Sequence, residues 1–225
     1  NKYFKKFSIY GAGQFINIIS PLVVLPYLIQ VCGIEAVGKI GVSLSLMFIL
    51  IVIVDYSSYV KGLRNIAKNR VLPENLQQII ASTYYAKLIL LLVVLLLLTL
   101  SVFLLPYLSG NKSLFLLSSI FIIGQAINPT WILQGLEDFK TISFINIISK
   151  LFYLGTTFLV VKDPSRYYLV NFLLGLGLII PSLIVLWNLL KKYSITTASF
   201  CFEEAIALIR TDFSFCLYQL FFSLR

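Results

Sequence analysis

The residues best suited to chemistry in this chain are polar side chains set inside long apolar runs. Lys150 lies in TISFINIISKLFYLGTTFLVV, residues 141–161, with Ser143, Asn146 and Thr157 at helical spacing on one face. At about 1.5 Å per residue it would lie roughly 12 Å inside a membrane span. Inserting a lysine at the centre of a span costs about 2.5 to 3.5 kcal/mol. We therefore expect the ammonium to face protein or water, or its stem to snorkel to the headgroups.

A second polar set lies in the first apolar run. Gln14, Asn17 and Pro21 are spaced by three and four residues, so they share one helical face, and Pro26 follows a turn later. Each proline removes a backbone donor and frees a carbonyl that lipid cannot satisfy. The pattern predicts a bent helix with its polar groups inward, serving either bundle packing or a functional cavity.

Asp55 is an acidic residue near the end of the second apolar run. It could pair with Lys87 or Lys150 across a bundle, or it could bind a coupling cation. Lys87 lies closer to the predicted membrane surface than Lys150, so snorkelling is the predicted behaviour of its side chain.

The stretch NPTWILQGLEDFKTIS, residues 128–143, interrupts the apolar pattern. Gln125 and Asn128 share a helical face, Pro129 is predicted to bend the helix, and Trp131 is predicted to lie at the membrane interface. Residues 137–140 then form a short charged loop, with Ser143 opening the next helix. Its adjacent Glu and Asp have no pocket to tune them for acid–base catalysis, which favours a solvated loop.

Several kinds of site are excluded within this sequence. The chain contains no histidine, which rules out histidine-based triads and zinc proteolysis here. Cys32, Cys201 and Cys216 lack CxxC spacing and are predicted to be unpaired thiols. The GAG at 11–13 and the GLG at 175–177 lack a dinucleotide fingerprint and are predicted to serve helix packing. No cofactor or metal is expected.

The elements that must position these residues are membrane helices. Hydrophobic residues make up 59% of the chain, charged residues 12%, and the mean hydropathy is +0.94, against about 25% charged residues in soluble domains. Continuous apolar runs without alternation predict an all-α polytopic transmembrane bundle. The predicted spans are approximately 8–31, 40–60, 80–105, 113–133, 142–161 and 167–190, with a seventh from 211 onward.

Basic residues predict the orientation of the bundle. With the amino terminus inside, eleven of the eighteen lie in inner segments and four in outer loops. The inner ones are Lys2, Lys5, Lys6, Lys61, Arg64, Lys68, Arg70, Lys140, Lys191, Lys192 and Arg210; the outer ones are Lys39, Lys112, Lys162 and Arg166. Since cytoplasmic loops retain Lys and Arg, we expect a cytoplasmic amino terminus. The formal charge of +9 is assigned to topology and to contact with anionic membrane lipids, not to nucleic acid.

Three patches resemble the polysaccharide transport family, the O-antigen (Wzx-type) flippases of the multidrug/oligosaccharidyl-lipid/polysaccharide exporter superfamily. The patches are PTWILQGLEDFKTIS at 129–143, DYSSYVKGLRNIAKNR at 55–70 with Arg64 and Ala67, and LPYLIQVCGIEAVGKIGVSLS at 25–45 with Pro26, Tyr27, Gly33, Glu35 and Gly38.

The resemblance implies two six-helix lobes around a central cavity. Residues 1–190 would form the first lobe, 191–210 a cytoplasmic connector and 211–225 the start of the second lobe, so we expect a longer parent protein. It also implies a bacterial cytoplasmic membrane location and a non-enzymatic flippase of polyprenyl-pyrophosphate-linked oligosaccharide. The lipid-linked oligosaccharide, membrane lipids, a polysaccharide polymerase and chain-length machinery are the candidate partners.

The candidate residues for the substrate path are Lys150, Asn146, Gln14, Asn17, Gln125, Asn128, Lys87 and Arg64, and Asp55 is the candidate for ion coupling. An alternative is an ion-coupled drug or small-molecule antiporter of the same superfamily. A membrane glycosyl polymerase is a third function, although it should carry a large outer loop for its catalytic groups.

Overall fold

The computed structural model describes residues 2–70, 72–194, 203 and 205–211, and within these ranges the backbone is helical, with no β-strand. The helices are α1 Lys2–Cys32, α2 Ile34–Ser57, α3 Leu63–Lys68, α4 Pro73–Leu104, α5 Pro106–Ser109, α6 Lys112–Ile127, α7 Thr130–Gly135, α8 Phe139–Val160 and α9 Val170–Lys192. A π-helical turn, Ser58–Gly62, joins α2 to α3, and a 3₁₀ turn, Pro164–Leu169, precedes α9.

Six helical segments in the described part of the chain are long and apolar enough to cross a membrane. They are Gly13–Cys32, Ile34–Asp55, Asn75–Leu104, Lys112–Gly135, Phe139–Val160 and Pro164–Lys192. The chain is thus an all-α, multi-pass membrane protein, which confirms the predicted fold class. Of the predicted connector and seventh span, 195–202, 204 and 212–225 lie outside the described residues, and the division into lobes stays a prediction.

The long helices pack in a defined order. Helix α1 lies on α8, α8 on α9, and α9 on α6, while α2 and α4 cover the other side of α6. Glycines permit the closest approaches: a Cβ at Gly175 would lie 2.6 Å from the Phe121 nitrogen, and one at Gly177 would lie 2.7 Å from the Ser149 carbonyl oxygen. The packing role predicted for residues 175–177 is confirmed.

The fourth span is broken, not merely bent as predicted. Helix α6 ends at Ile127 and α7 begins at Thr130, with Pro129 between them. Helix α8 begins at Phe139, four residues before Ser143, because Asp138 caps it by accepting from the Thr141 amide at 3.3 Å.

The interfacial position predicted for Trp131 is wrong. Its side chain is fully buried, and its ring centroid lies 5.8 Å from that of Tyr84 in α4. The break before α7 turns this residue into the bundle, where its ring packs against Tyr84. Trp187, in contrast, is 61% exposed near the end of α9.

Candidate substrate path and buried ion pair

The polar residues of α1 and α8 meet because the two helices run parallel. A Cβ at Gly13 would lie 2.9 Å from Ser143 Oγ, and the Tyr27 hydroxyl donates to the Val161 carbonyl at 2.9 Å further along both helices. That register places Gln14 and Asn17 of α1 at the level of the α8 segment around Asn146. We call Gln14, Asn17, Asn146 and Lys150 the α1–α8 polar face; all four side chains are partly exposed.

Lys150 lies at the centre of the span and is only partly accessible. Its Nζ lies 6.0 Å from the centroid of the Tyr153 ring one turn further on, a cation–π distance. Among the residues that the structure describes, no carboxylate lies within ion-pair distance of it. Within the described part of the chain, the ammonium therefore lies beside a ring and not beside an acid.

Buried hydroxyl groups also lie on α1 and α8, on the sides of these helices that pack within the bundle. Ser20 of α1 and Ser149 and Thr157 of α8 are buried, and their side-chain oxygens have no hydrogen-bond partner within the described ranges. Groups of this kind usually find a partner, such as a protein group, a bound water or a ligand.

Asp55 and Lys87 form an ion pair between α2 and α4. The Lys87 Nζ lies 2.7 Å from Asp55 Oδ1, with the two side chains only 2% and 7% exposed. The predicted snorkelling of Lys87 is therefore wrong, because an acid within the bundle compensates its charge more closely than distant headgroups could. Of the two partners considered for Asp55, the structure selects Lys87.

The ion pair lies beside an irregular turn and an aromatic pair. The π-helical turn begins three residues after Asp55, and the Ser58 hydroxyl donates to the Asp55 carbonyl at 2.8 Å. The Lys87 ammonium lies 5.6 Å from the Tyr84 ring, which packs on Trp131. Insertions of this kind in α-helices occur frequently at functional sites.

Gln125 and Asn128 form hydrogen bonds across the break in the fourth span. Asn128 Oδ1 accepts from the Thr130 amide at 3.1 Å and from the Thr130 hydroxyl at 2.6 Å, and its Nδ2 donates to Gln125 Oε1 at 3.4 Å. The Tyr84 hydroxyl donates to the Ile127 carbonyl at 3.2 Å. These bonds satisfy backbone groups that the break would leave without partners.

Helix α7 packs against α3, and the charged loop that follows α7 pairs with the segment after α3. Glu137 accepts from Arg70 at 2.8 Å, and a Cβ at Gly135 would lie 2.6 Å from the Ile66 side chain. Glu137, Asp138 and Lys140 are all exposed, as predicted for a solvated loop, and in addition Glu137 pairs with Arg70 and Asp138 caps α8. Arg64 is exposed, and within the described chain it has no ion-pair partner.

The structure therefore divides the predicted candidates into two groups. Four of them form the α1–α8 polar face, while Asp55, Lys87, Gln125 and Asn128 lie on α2, on α4 and at the break after α6; Arg64, on α3, belongs to neither group. Sequence reasoning missed Tyr84, although its spacing of three residues from Lys87 was a usable signal. It also missed a buried network in which Ser43 and Asn171 both donate to Ser118, at 2.8 and 3.1 Å, because nothing local connects those three residues.

Comparison with known proteins adds a family match. The sequence family described as "Polysaccharide biosynthesis protein" matches residues 3–224. The chain is 28% identical over 213 residues, 94% of its length and 52% of the relative's, to a protein of Shigella dysenteriae named as a candidate O-antigen transporter. A protein of Escherichia coli K12 with the same name is 27% identical over 172 residues, which is 76% of this chain and 41% of that relative. The chain spans about half the length of these relatives, and no solved structure matches it significantly.

Proposed function

Because this chain belongs to the polysaccharide biosynthesis protein family, we propose that it forms the first lobe of an exporter that moves a polyprenyl-pyrophosphate-linked oligosaccharide across the bacterial cytoplasmic membrane. The names of the two relatives support an export role for them. The finer assignment of cargo and path rests on the residues of the α1–α8 polar face.

The observation that carries the proposal is the charge at Lys150. Its ammonium lies within a membrane span with no acid to neutralise it in the described chain. A sugar-phosphate headgroup needs a wet path with positive charge, whereas its polyprenyl tail can remain in lipid. Amides at Gln14, Asn17 and Asn146 provide hydrogen bonds for sugar hydroxyls along the same face.

The transport step follows from this arrangement. The lobe would rock against a second lobe and expose the polar face first to the cytoplasmic side and then to the outer side. No covalent bond is made or broken. The basic segments at the end that holds Arg70 and Lys192 would face the cytoplasm, with an ion gradient as the energy source. Asp55 is held by Lys87 at 2.7 Å, so we assign that pair to the framework of the lobe and not to cation binding.

Charge replacement at Lys150 in the full-length protein tests the proposal. Lys150→Arg should keep part of the transport, while Lys150→Gln and Lys150→Ala should lose roughly 10- to 100-fold, the value of a hydrogen bond to a charged group. The measurement is surface polysaccharide per molecule of inserted protein in a flippase-deficient bacterial host.

Lys140→Gln is the matched control, because Lys140 is an exposed lysine in the first turn of the same helix, at its end. It should leave transport unchanged. Near-normal transport in the Gln and Ala variants of Lys150 would show that this charge only snorkels. Since Asp55 is already paired with Lys87, removing Asp55 should not rescue Lys150→Ala.

A further inference from the structure

A cavity of about 230 Å³ lies between α4, the end of α6 and α9, away from the α1–α8 polar face. Its wall includes Ala81 and Leu88 of α4, Ala126 of α6, and Leu186 and Leu190 of α9. An apolar cavity of about 150 Å³ in another protein stays dry and takes up benzene. This one is larger, so it has room for a segment of hydrocarbon chain.

The polar groups on the cavity wall already have partners. Lys87 and Tyr84 both contribute to it, but the Lys87 ammonium is paired with Asp55 and the Tyr84 hydroxyl donates to the Ile127 carbonyl. A charged or sugar-like ligand would find neither a free charge nor a free hydroxyl on these two residues. The wall therefore favours an apolar occupant.

One end of the cavity wall adjoins the basic end of α9. Leu88 is 51% exposed, and the wall residue Leu190 is followed directly by Lys191 and Lys192, both exposed. The Lys191 Nζ lies 5.3 Å from the ring of Trp187, one turn back along α9. This ammonium therefore stays close to the helical turn that borders the cavity, where it can meet a phosphate at the membrane surface.

We propose that this site binds an anionic phospholipid, with one acyl chain in the cavity and the phosphate at Lys191 and Lys192. The apolar wall accounts for the chain, and the two lysines provide the charge complementarity for the headgroup. The site is separate from the proposed path of the cargo and does not depend on the identity of that cargo.

The test is native mass spectrometry of the full-length protein, purified with phosphatidylglycerol or phosphatidylcholine added in equal amounts. Wild type should retain phosphatidylglycerol in preference to phosphatidylcholine. Lys191→Gln combined with Lys192→Gln should weaken the retention of phosphatidylglycerol by roughly 10- to 30-fold, because each basic residue near the surface contributes about fivefold. Ala126→Phe, which fills the cavity, should lower the retention of both lipids.

Leu88→Trp, at an exposed residue of the cavity wall, provides a second test. Its matched control is Leu92→Trp, one turn further along the exposed side of α4, where Leu92 is 60% exposed and is not part of the described cavity wall. The first should block lipid retention and the second should not. Equal retention in all these variants would overturn the proposal. The proposal would also be overturned if the protein retained a polyprenyl phosphate in place of phosphatidylglycerol and if Ala126→Phe abolished that retention.

Discussion

At the scale of single residues, the Asp55–Lys87 pair has the clearest consequence for stability. Breaking a buried pair leaves one charge without compensation and typically costs about 3 to 5 kcal/mol. We therefore expect Asp55→Leu and Lys87→Met each to lower the thermal stability and the yield of inserted protein strongly. The double variant should recover most of the loss, since neither charge remains.

Lys150→Met is the matched control for that experiment, because it removes a lysine of a membrane span and leaves the pair intact. It should lower stability much less than Lys87→Met. Thermal unfolding of the purified full-length protein in detergent gives the comparison. A double variant whose loss of stability equals the sum of the two single losses would show that the two charges act independently.

The residue scale also shows how far sequence alone could go. The exposed or partly exposed positions of Lys150, Asn146 and Asn17 agree with a polar helical face, because a face depends only on local spacing. The partner of Asp55 could not be selected in this way, because both lysines were far away in sequence. The structure identifies the partner, because the Lys87 Nζ lies 2.7 Å from Asp55 Oδ1.

At the scale of the elements, close helix packing explains Gly175. A Cβ there would lie 2.6 Å from the backbone nitrogen of Phe121 in α6, so α6 and α9 would have to separate. We expect Gly175→Ala to cost about 1 to 3 kcal/mol, as overpacking of a tight site does.

Gly155 of α8 is the natural comparison, because a Cβ at that position meets nothing within 4 Å. Gly155→Ala should be neutral or stabilising by up to about 1 kcal/mol through helix propensity alone. Unfolding measurements on both variants separate the two effects. Equal losses of stability in Gly175→Ala and Gly155→Ala would mean that α6 and α9 are less tightly packed than in the structure.

The helices themselves were predictable, and their ends were less so. Apolar runs long enough to span a membrane identify all six crossings, because lipid imposes both length and composition. The break between α6 and α7 was predicted only as a bend. It depends on bonds from Asn128 to Thr130 and from Tyr84 to Ile127, and the second of these comes from another helix.

At the scale of the whole molecule, the orientation can be tested directly. Lys68 and Lys140 are exposed at one end of the bundle, while Lys162 and Asp163 are exposed at the other. Single cysteines at the first two positions, in a cysteine-free full-length protein, should be shielded from an impermeant thiol reagent in intact cells. Cysteines at the other two should react, because cytoplasmic loops retain basic residues.

Permeabilised cells provide the control, since all four positions should then react. The reverse pattern in intact cells would place the amino terminus outside. The charge bias predicts the orientation but not the spatial order of the helices. That order depends on contacts such as Gly13 with Ser143, which no loop charge specifies.

The hydroxyl of Tyr27 has a further consequence for how the chain is made. Its acceptor, the Val161 carbonyl, lies 134 residues later. At about 5 to 20 residues per second, a ribosome needs roughly 7 to 27 s to cover that distance. During this interval α1 lacks α8, the helix on which it packs in the finished structure. Helix α1 therefore reaches its final packing only after α8 has been made.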